Sequence, residues 1–299
     1  MLEVAVFSFN RGDYLRNCVE SIQRNMPGIK VTIYDDNSTD PDTVATIRAL
    51  ALPVYRPDPG VDRRHGGLYD NMQAALDRAV APVILFVQDD MQIVRPVLAA
   101  DLATIADCFA ADPEVAFICP FFIKATRRTR YGRLLTPSDR GRYYVPSELA
   151  KTRLAHKKMA YFDAVLINVA RLYAVGWQFG QAEGANVVEA RKRFSHMPVL
   201  ADPFMFFCPE VPFFRNRKQA IAARIARRVV GEDVKRFIDM TEAEVAALRA
   251  RPMEVLPVAE DFLRTANLRV RRPFVYKDVA ARWWLYGFHK LEQRLTKRR

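Results

Sequence analysis

The sequence lacks any hydrophobic run long enough to cross a membrane. Its longest apolar stretch, residues 79–87, has nine residues and includes a proline, whereas a spanning helix needs about 20 apolar residues. Glu3 interrupts the first apolar segment, so the pattern of a cleavable secretory leader is also missing. These absences predict a cytoplasmic protein, one that binds a membrane at most peripherally, on the inner face.

Cysteine is scarce, and the four cysteines show no spacing typical of a metal site or a redox motif. They are Cys18, Cys108, Cys119 and Cys208, each in an apolar context. We expect buried thiols in a reducing compartment and neither a disulfide framework nor a zinc site. With 299 residues, 50% of them hydrophobic, the chain can form one large domain, or a smaller one with an appendage.

The glycine-rich loops that hold phosphate groups in many α/β proteins are missing as well. Neither G-x-G-x-x-G nor a P-loop occurs. The absence argues against a dinucleotide-binding domain. It also predicts that any bound phosphate is held by a metal ion and by cationic side chains, such as Arg63, Arg64 or those of a later loop.

What the sequence does contain is a regular alternation of strand and helix patterns with short connections. Strand-like segments at residues 2–9, 30–34, 53–56 and 82–87 are separated by segments with helical periodicity. This alternation predicts an α/β fold, a Rossmann-like and mostly parallel sheet flanked by helices. Ligands of such sheets bind beyond the carboxyl ends of the strands.

Polar clusters at residues 8–10, 35–36 and 89–90 follow three of these strands, so we expect them to converge on one edge of the sheet. Asp89 and Asp90 are adjacent carboxylates at the end of a buried strand and would repel each other unless a cation neutralised them. We interpret the pair as a site for a divalent cation that in turn holds a diphosphate. The alternative is a solvated turn.

Five short segments within residues 1–213 can be compared, in their order along the chain, with the motifs of a known family. They are F-S-F-N-R at 7–11, D-D-N-S-T-D at 35–40, residues 67–71, V-Q-D-D at 87–90 and residues 164–177, which end in V-G-W. In this order they resemble the family 2 glycosyltransferases, whose motifs include S-Y-N-R, D-D-G-S-T-D and D-x-D. The resemblance implies a GT-A fold and transfer of a sugar, with inversion, from a nucleoside-diphosphate sugar.

The resemblance also assigns roles to individual residues. Phe7, Phe9 and Asp36 would contact the nucleobase, and Asp89 would face the ribose or the transferred sugar. Asp90 would bind Mg²⁺ or Mn²⁺ bridging the diphosphate, because oxygen ligands suit hard cations.

Several positions depart from the family pattern, such as Phe9 in place of tyrosine and Asn37 in place of glycine. Two regions with departures bear directly on the chemistry. Gln88 fills the first acidic slot of the metal region, and its neutral amide adds no charge to the site. The catalytic base of the family lies just before a helix, where Glu183 is the nearest match and Glu189 is the rival. That base would take the proton of the acceptor hydroxyl.

Basic residues concentrate in two regions. Residues 124–158 carry eleven Lys and Arg and are expected to be irregular, as a lid or groove for a phosphorylated acceptor or as a solvated loop. Residues 215–299 carry 21 Lys and Arg against 10 Asp and Glu, whereas residues 1–214 carry 25 against 24. We therefore predict a GT-A domain at 1–213 and a basic helical extension at 214–299.

The extension contains amphipathic patterns. Ile221, Ile225 and Val229 form one apolar stripe, and a second stripe runs through Trp284 and Phe288 near the end of the chain. Basic amphipathic helices with aromatic residues are typical of binding to an anionic membrane surface. The alternative is packing on the enzyme core or a second subunit, and no nucleic-acid-reading motif is present.

The sequence thus predicts a metal-dependent inverting glycosyltransferase with a hydroxyl acceptor, such as a lipid-linked or cell-envelope glycan. A sugar-phosphate nucleotidyltransferase is a second possibility, disfavoured because its glycine-rich loop with Arg and Lys is missing. A non-catalytic glycan- or membrane-binding protein on the same fold is a third.

Overall fold

A computed structural model describes residues 2–58, 67–152, 163–211 and 221–296 of the chain. The strands are β1 (Leu2–Ser8), β2 (Lys30–Asp35), β3 (Val54–Tyr55), β4 (Val83–Gln88), β5 (Met91–Ile93), β6 (Phe117–Ile118), β7 (Leu135–Pro137), β8 (Tyr143–Pro146), β9 (Leu166–Asn168), β10 (Val199–Leu200), β11 (Met205–Phe207), β12 (Phe237–Ile238) and β13 (Arg264–Thr265). The helices are α1 (Gly12–Asn25), α2 (Pro41–Leu50), α3 (Leu68–Asp77), α4 (Ala99–Ala111), α5 (Arg128–Leu134), α6 (Glu148–Thr152), α7 (Val169–Ala174), α8 (Glu183–Arg193), α9 (Ile221–Val230), α10 (Glu242–Ala250), α11 (Ala259–Phe262) and α12 (Trp283–Thr296).

The centre of the fold is a six-stranded sheet in the order β3-β2-β1-β4-β9-β6. The first four strands in this order are parallel, and β9 runs antiparallel between β4 and β6. β1 is buried along its whole length, as its run of apolar residues predicts for a strand covered on both faces. The predicted α/β fold, with a mostly parallel sheet flanked by helices, is confirmed.

Two hydrophobic clusters cover the two faces of the sheet. One contains Phe86, Phe117 and Trp177 and is closed by α3, α7 and α8. The other contains Leu15 and Phe109 and is closed by α1, α2 and α4. The four cysteines are buried free thiols, as expected.

Helix capping follows the local sequence. Asp40 accepts a hydrogen bond from the backbone N–H of Thr43, and Pro41 is the first residue of α2, where its fixed φ suits a helix start. Thr241 and Glu244 form the capping box that opens α10. Both starts are local signals that can be recognised in the sequence.

The basic stretch is more ordered than its sequence predicts. Within its described part, residues 124–152, the chain forms the short helices α5 and α6 and the hairpin β7–β8. Leu134, Leu135 and Tyr144 are buried in one of the two main clusters. These segments are too short to show a clear period, so their apolar residues gave no strand or helix signal.

The extension shares a core with the sheet domain. Val94, Phe122 and Phe206 from the N-terminal part pack with Phe237 and Leu248 of the extension. The helices α9 to α12 confirm its helical character. The predicted boundary between residues 213 and 214 lies outside the described residues.

The predicted apolar stripe of α9 is only partly buried. Ile221 and Val229 are 54% and 43% exposed, whereas Ala222 and Ala226 are fully buried. The helix packs closely on α12, and small alanine side chains allow that close approach. Ile225, the third member of the stripe, is partly buried against this contact.

We predict that Asp202→Ala destabilises the protein by about 3–5 kcal/mol, because it leaves a buried guanidinium without its counter-charge. Asp202, 7% exposed, accepts from Arg251 of the extension, which is 8% exposed, at 3.0 Å. The control is Asp261→Ala, which removes a largely exposed pair with Arg128 and should change stability by at most about 1 kcal/mol. Urea unfolding of both variants measures the difference, and equal losses would contradict the prediction.

Candidate functional site

The loops that follow β1 and β2 are held together by a network around Asn10. The side-chain Oδ1 of Asn10 accepts from the backbone N–H groups of Thr39 and Asp40 at 2.8 and 2.9 Å. Its own backbone N–H donates to Ser38 Oγ at 2.9 Å. Asn10 has φ +51°, a left-handed conformation that Asn tolerates better than most residues. The two motifs at residues 7–11 and 35–40 therefore form one structural unit.

The two aspartates after β2 have different environments. Asp35 is fully buried and accepts from Ser38 and from Arg56, at 2.5 and 2.8 Å, so it shapes the loop. Asp36 is half-buried, and its Oδ2 accepts from the backbone N–H of Gly67 at 2.6 Å. Asp36 thus faces the start of α3 at the carboxyl edge of the sheet.

The two phenylalanines of the first motif also differ. Phe7 is 4% exposed, and its ring packs against Tyr34 and Phe86, with centroids 5.7 and 5.0 Å away. Phe9 lies past the end of β1 and is 52% exposed. Of this pair, Phe9 presents its ring to solvent and Phe7 supports the edge from within the core. Arg64, the predicted phosphate ligand, lies outside the described residues.

Asp89 is held by the turn after β1. Its Oδ2 accepts from Ser8 Oγ at 3.1 Å and from the backbone N–H of Phe9 at 3.3 Å, and its Oδ1 accepts from Arg11 Nη1 at 3.4 Å. Asp89 is only 5% exposed. Its carboxylate therefore fixes the Ser8–Phe9 turn that carries the exposed ring.

Asp90 is buried under two partners. Its Oδ2 accepts from Arg11 Nη1 at 2.7 Å and from the Tyr276 hydroxyl at 2.5 Å, and Asp90 is 1% exposed. Tyr276 belongs to the C-terminal extension. The carboxylate predicted to hold a metal ion is thus bonded to an arginine and covered by a tyrosine.

Burial and neighbouring charges both shift the pKa values of Asp89 and Arg11. Burial raises the pKa of Asp89 to about 7, opposed by Arg11 and reinforced by Asp90. Burial lowers the pKa of Arg11, but Asp89 and Asp90 outweigh it, so the pKa of Arg11 rises above its usual value. The guanidinium therefore stays charged and is the positive partner of both carboxylates.

In this arrangement the acidic pair does not fit a divalent ion. Mg²⁺ is usually bound by one or two carboxylates together with waters and substrate phosphates, so at least one carboxylate oxygen has to be open to the ion. Of the four carboxylate oxygens, Asp90 Oδ1 alone lacks a partner within the described parts of the chain, and it is sealed from solvent. Residues 2–58, 67–152, 163–211 and 221–296 contain no group of three His, Cys, Asp or Glu that could hold a metal ion.

A cavity of about 690 Å³ lies next to this edge of the sheet and reaches Met91, the residue after Asp90. Its walls are mainly apolar, with two carboxylates, Asp163 and Glu183. Four cationic residues also line it: Lys124, Arg127, Arg130 and Arg191. The cavity brings the described start of the basic stretch to the same place as Glu183.

The two candidate bases lie in different surroundings. Glu183 is the exposed first residue of α8, whereas the sequence placed it just before the helix, and it lines the cavity. Glu189 is engaged on the helix surface by Lys192 and Arg193 at 3.2 and 2.8 Å. Of the two, Glu183 is placed to meet a ligand in the cavity.

The sequence model of Glycosyl transferase family 2 matches residues 3–163, more than half of the chain. The chain belongs to this family. It is a glycosyltransferase, and the resemblance drawn from the motifs is confirmed. No curated protein sequence matches it.

Several solved structures resemble this glycosyltransferase. Residues 1–349 of TarS from S. aureus share 16% identity, with 83% of this chain and 69% of that chain covered and a TM-score of 0.48. The same TarS fragment in complex with UDP has 18% identity, the same coverage and a TM-score of 0.45. Glucosyl-3-phosphoglycerate synthase from Mycobacterium tuberculosis, with Mn²⁺, UDP-glucose and phosphoglyceric acid, has 14% identity, 76% and 79% coverage and a TM-score of 0.46.

Three residues of the glycosyltransferase site were not assigned from the sequence. Arg11 stands in a recognised motif, but its partners lie 78 and 79 residues away. Tyr276 is 186 residues from Asp90 and has no local signal. Asp163, which accepts from the Tyr69 hydroxyl at 3.0 Å, precedes β9 without any motif around it.

We predict that Asp89 makes the enzyme less stable as the pH rises. Its pKa is about 7 in the folded protein and about 4 in an unfolded chain, so the native state binds more protons between these values. The free energy of unfolding should therefore fall from about pH 4 to about pH 7. Asp89→Asn, which carries no charge, should remove this component.

Urea unfolding of wild type and variant at about pH 5 and about pH 8 measures the effect. The exposed Asp139 offers a control, since Asp139→Asn should retain the wild-type pH dependence. A variant at position 89 whose stability changes with pH as much as wild type would rule out this account.

Proposed function

We propose that this glycosyltransferase moves a sugar from a nucleoside-diphosphate sugar to a hydroxyl group of an acceptor, with inversion at the anomeric carbon. One observation carries the proposal. The candidate base Glu183 lies on the wall of a cavity that reaches Met91, directly beside the acidic pair at the carboxyl edge of the sheet. Donor and acceptor groups could therefore meet at one place.

The donor would bind along the sheet edge formed by β1, β2 and β4. Phe9 supplies an exposed ring for stacking on the nucleobase, and Asp36 supplies a carboxylate for its N–H groups. Asp89 acts on the nucleotide mainly by holding the turn that carries Phe9. We retain Arg64 as a phosphate ligand on the basis of the sequence.

The chemical step is a single displacement. The acceptor oxygen attacks the anomeric carbon while the bond between that carbon and the diphosphate oxygen breaks. Glu183 takes the hydroxyl proton, and the nucleoside diphosphate leaves with the bonding electrons. A positioned general base of this kind contributes about 10²–10⁴-fold to the rate.

The lining of the cavity also indicates which class of acceptor would bind there. Apolar side chains such as Phe121, Ile123 and Val187 form its walls, and four cations line it. An acceptor with an apolar portion and a phosphate or carboxylate group would suit both features. A lipid-linked or cell-envelope glycan has this character.

We predict that Glu183→Gln lowers kcat by about 10²–10⁴-fold and leaves the affinity for the nucleoside diphosphate unchanged, because the amide cannot accept the proton. Glu189→Gln is the matched control and should keep wild-type turnover, since Glu189 is paired on the helix surface. The assay screens nucleotide sugars for donor hydrolysis and then measures transfer.

Two results would count against this assignment. Full activity in the Glu183 variant removes it as the base, and Asp163 becomes the next candidate. A wild-type protein that binds no nucleoside diphosphate would instead indicate the non-catalytic alternative.

We also propose that residues 1–213 carry the chemistry and that the extension, residues 214–299, binds an anionic membrane surface. The outer face of α12 carries an exposed apolar stripe. Its members are spaced as i, i+4, i+7 and i+11: Trp284 (47% exposed), Phe288 (43%), Leu291 (54%) and Leu295 (62%). Lys290 and Arg294 lie beside the stripe, as in interfacial helices.

The face of α12 next to this stripe is packed on the protein. Leu285 is fully buried, and Glu292 accepts from the backbone N–H of Ile221 at 2.7 Å. Packing on the enzyme core, the alternative to membrane binding, thus describes this packed face of α12 and not the exposed stripe. Trp283 is 83% exposed, which suits a residue at a membrane–water interface. None of the helices within the described ranges has the length and hydropathy of a membrane span.

We predict that the double variant Trp284→Glu, Leu291→Glu no longer floats with vesicles rich in phosphatidylserine, while wild type does. Cationic residues near an anionic leaflet contribute about 1 kcal/mol each, so high salt should also weaken wild-type binding. Leu268→Glu, at a site 96% exposed on the extension outside α12, is the control and should bind normally. Unchanged flotation of the double variant would assign the stripe to a protein partner.

A further inference from the structure

The acidic pair after β4 already has a cation in this structure. Arg11 Nη1 lies 3.4 Å from Asp89 Oδ1 and 2.7 Å from Asp90 Oδ2. The carboxylates are buried, with side-chain exposures of 6% and 2%, whereas the Arg11 side chain is 24% exposed. The guanidinium therefore covers the two carboxylates and presents its outer part to solvent.

A divalent ion would have to break this arrangement in order to bind. It would have to displace Arg11 and the Tyr276 hydroxyl from Asp90 Oδ2, or reach the sealed Oδ1. Tyr276 is held by the backbone, because its carbonyl accepts from the N–H of Val211 at 2.6 Å. Its ring also packs on Phe207 with centroids 5.7 Å apart. Access to Asp90 thus requires the packed side chain of Tyr276, a residue of the extension, to move.

We propose that Arg11 takes the place of the divalent ion and that the enzyme binds its nucleoside diphosphate without a metal. The inference rests on the proposed function, since it concerns how the diphosphate of that donor is neutralised. It departs from the metal dependence that the family motifs predict.

The geometry of Arg11 suits this role. A guanidinium has five N–H donors in a planar fork that matches phosphate oxygens. The hydrogen bonds of Arg11 to the two carboxylates both run through Nη1, and Tyr276 also interacts with the guanidinium. The Arg11 side chain is 24% exposed, so the solvent-facing part of its fork can donate to a diphosphate at the edge of the sheet, and such charge-assisted bonds are among the stronger ones.

Gln88 gives an independent indication from the sequence. It stands in the first acidic slot of the motif at residues 87–90 and contributes no charge. The two remaining carboxylates are shared by one guanidinium. A site with fewer negative charges and a permanent internal cation has less need of a metal ion and less affinity for one.

The test compares binding of UDP and GDP to the full-length protein in EDTA and in Mn²⁺ by calorimetry. We expect the affinity for the preferred nucleotide to differ by less than about threefold between the two conditions, since no metal bridge is lost. Binding seen in Mn²⁺ alone would overturn the inference and leave the proposed function standing. Failure to bind in both conditions would overturn both.

Arg11→Gln should weaken nucleotide binding in EDTA by about tenfold to a hundredfold, as expected for the loss of charge-assisted hydrogen bonds. Arg16→Gln removes the same charge from an exposed position of α1, the helix that follows Arg11, and is the matched control. An equal effect of both substitutions would show that Arg11 acts only through net charge, and would refute a direct contact.

A measurement on wild type avoids any folding defect of the Arg11 variant. Mn²⁺ titrated into the nucleotide-free protein and followed by electron paramagnetic resonance should show no site tighter than about 1 mM. Stoichiometric binding at lower concentration, abolished by Asp90→Asn, would show that the acidic pair opens to a metal ion and that the proposal is wrong.

Discussion

β1 lies between β2 and β4 and is hydrogen-bonded in parallel to both, so that Ser8 stands beside Asp35 and Phe7 beside Gln88. This register places the turns after all three strands at one edge of the sheet. Hydrogen bonds then connect the turns. Asn10 accepts from the loop after β2, and Asp89 accepts from the turn after β1. The whole site depends on this pairing, because a shift of one strand would separate every contact of the edge.

The edge also brings like charges together, and the fold has to neutralise them. Two buried carboxylates side by side would be strongly unfavourable without a counter-charge. Arg11 supplies it from the first motif, and Tyr276 completes the hydrogen bonding of Asp90. The same residues therefore stabilise the fold and set the electrostatic character of the place where a diphosphate would lie.

The C-terminal extension is part of this enzyme's architecture. It shares a hydrophobic cluster with the sheet domain, and Arg251 and Arg249 bind the buried Asp202 and Asp101 of that domain at 3.0 and 2.6 Å. One of its residues, Tyr276, reaches the acidic pair. At the same time the outer face of α12 stays apolar and exposed. The extension therefore joins the candidate site on one side and carries the proposed membrane-binding stripe on the other.

Several features can be read from the sequence: the strand–helix alternation, the start of α2 at Asp40 and Pro41, the capping box at Thr241, and the meeting of the polar clusters at one sheet edge. These follow from local periodicity, capping chemistry and the geometry of parallel strands. Tertiary structure alone decided that Asp90 is bonded to Arg11 and Tyr276 and that Glu183 shares a cavity with the cations of the basic stretch. Side-chain partners tens to hundreds of residues apart are chosen by packing and charge balance in the folded chain, and no local pattern encodes that choice.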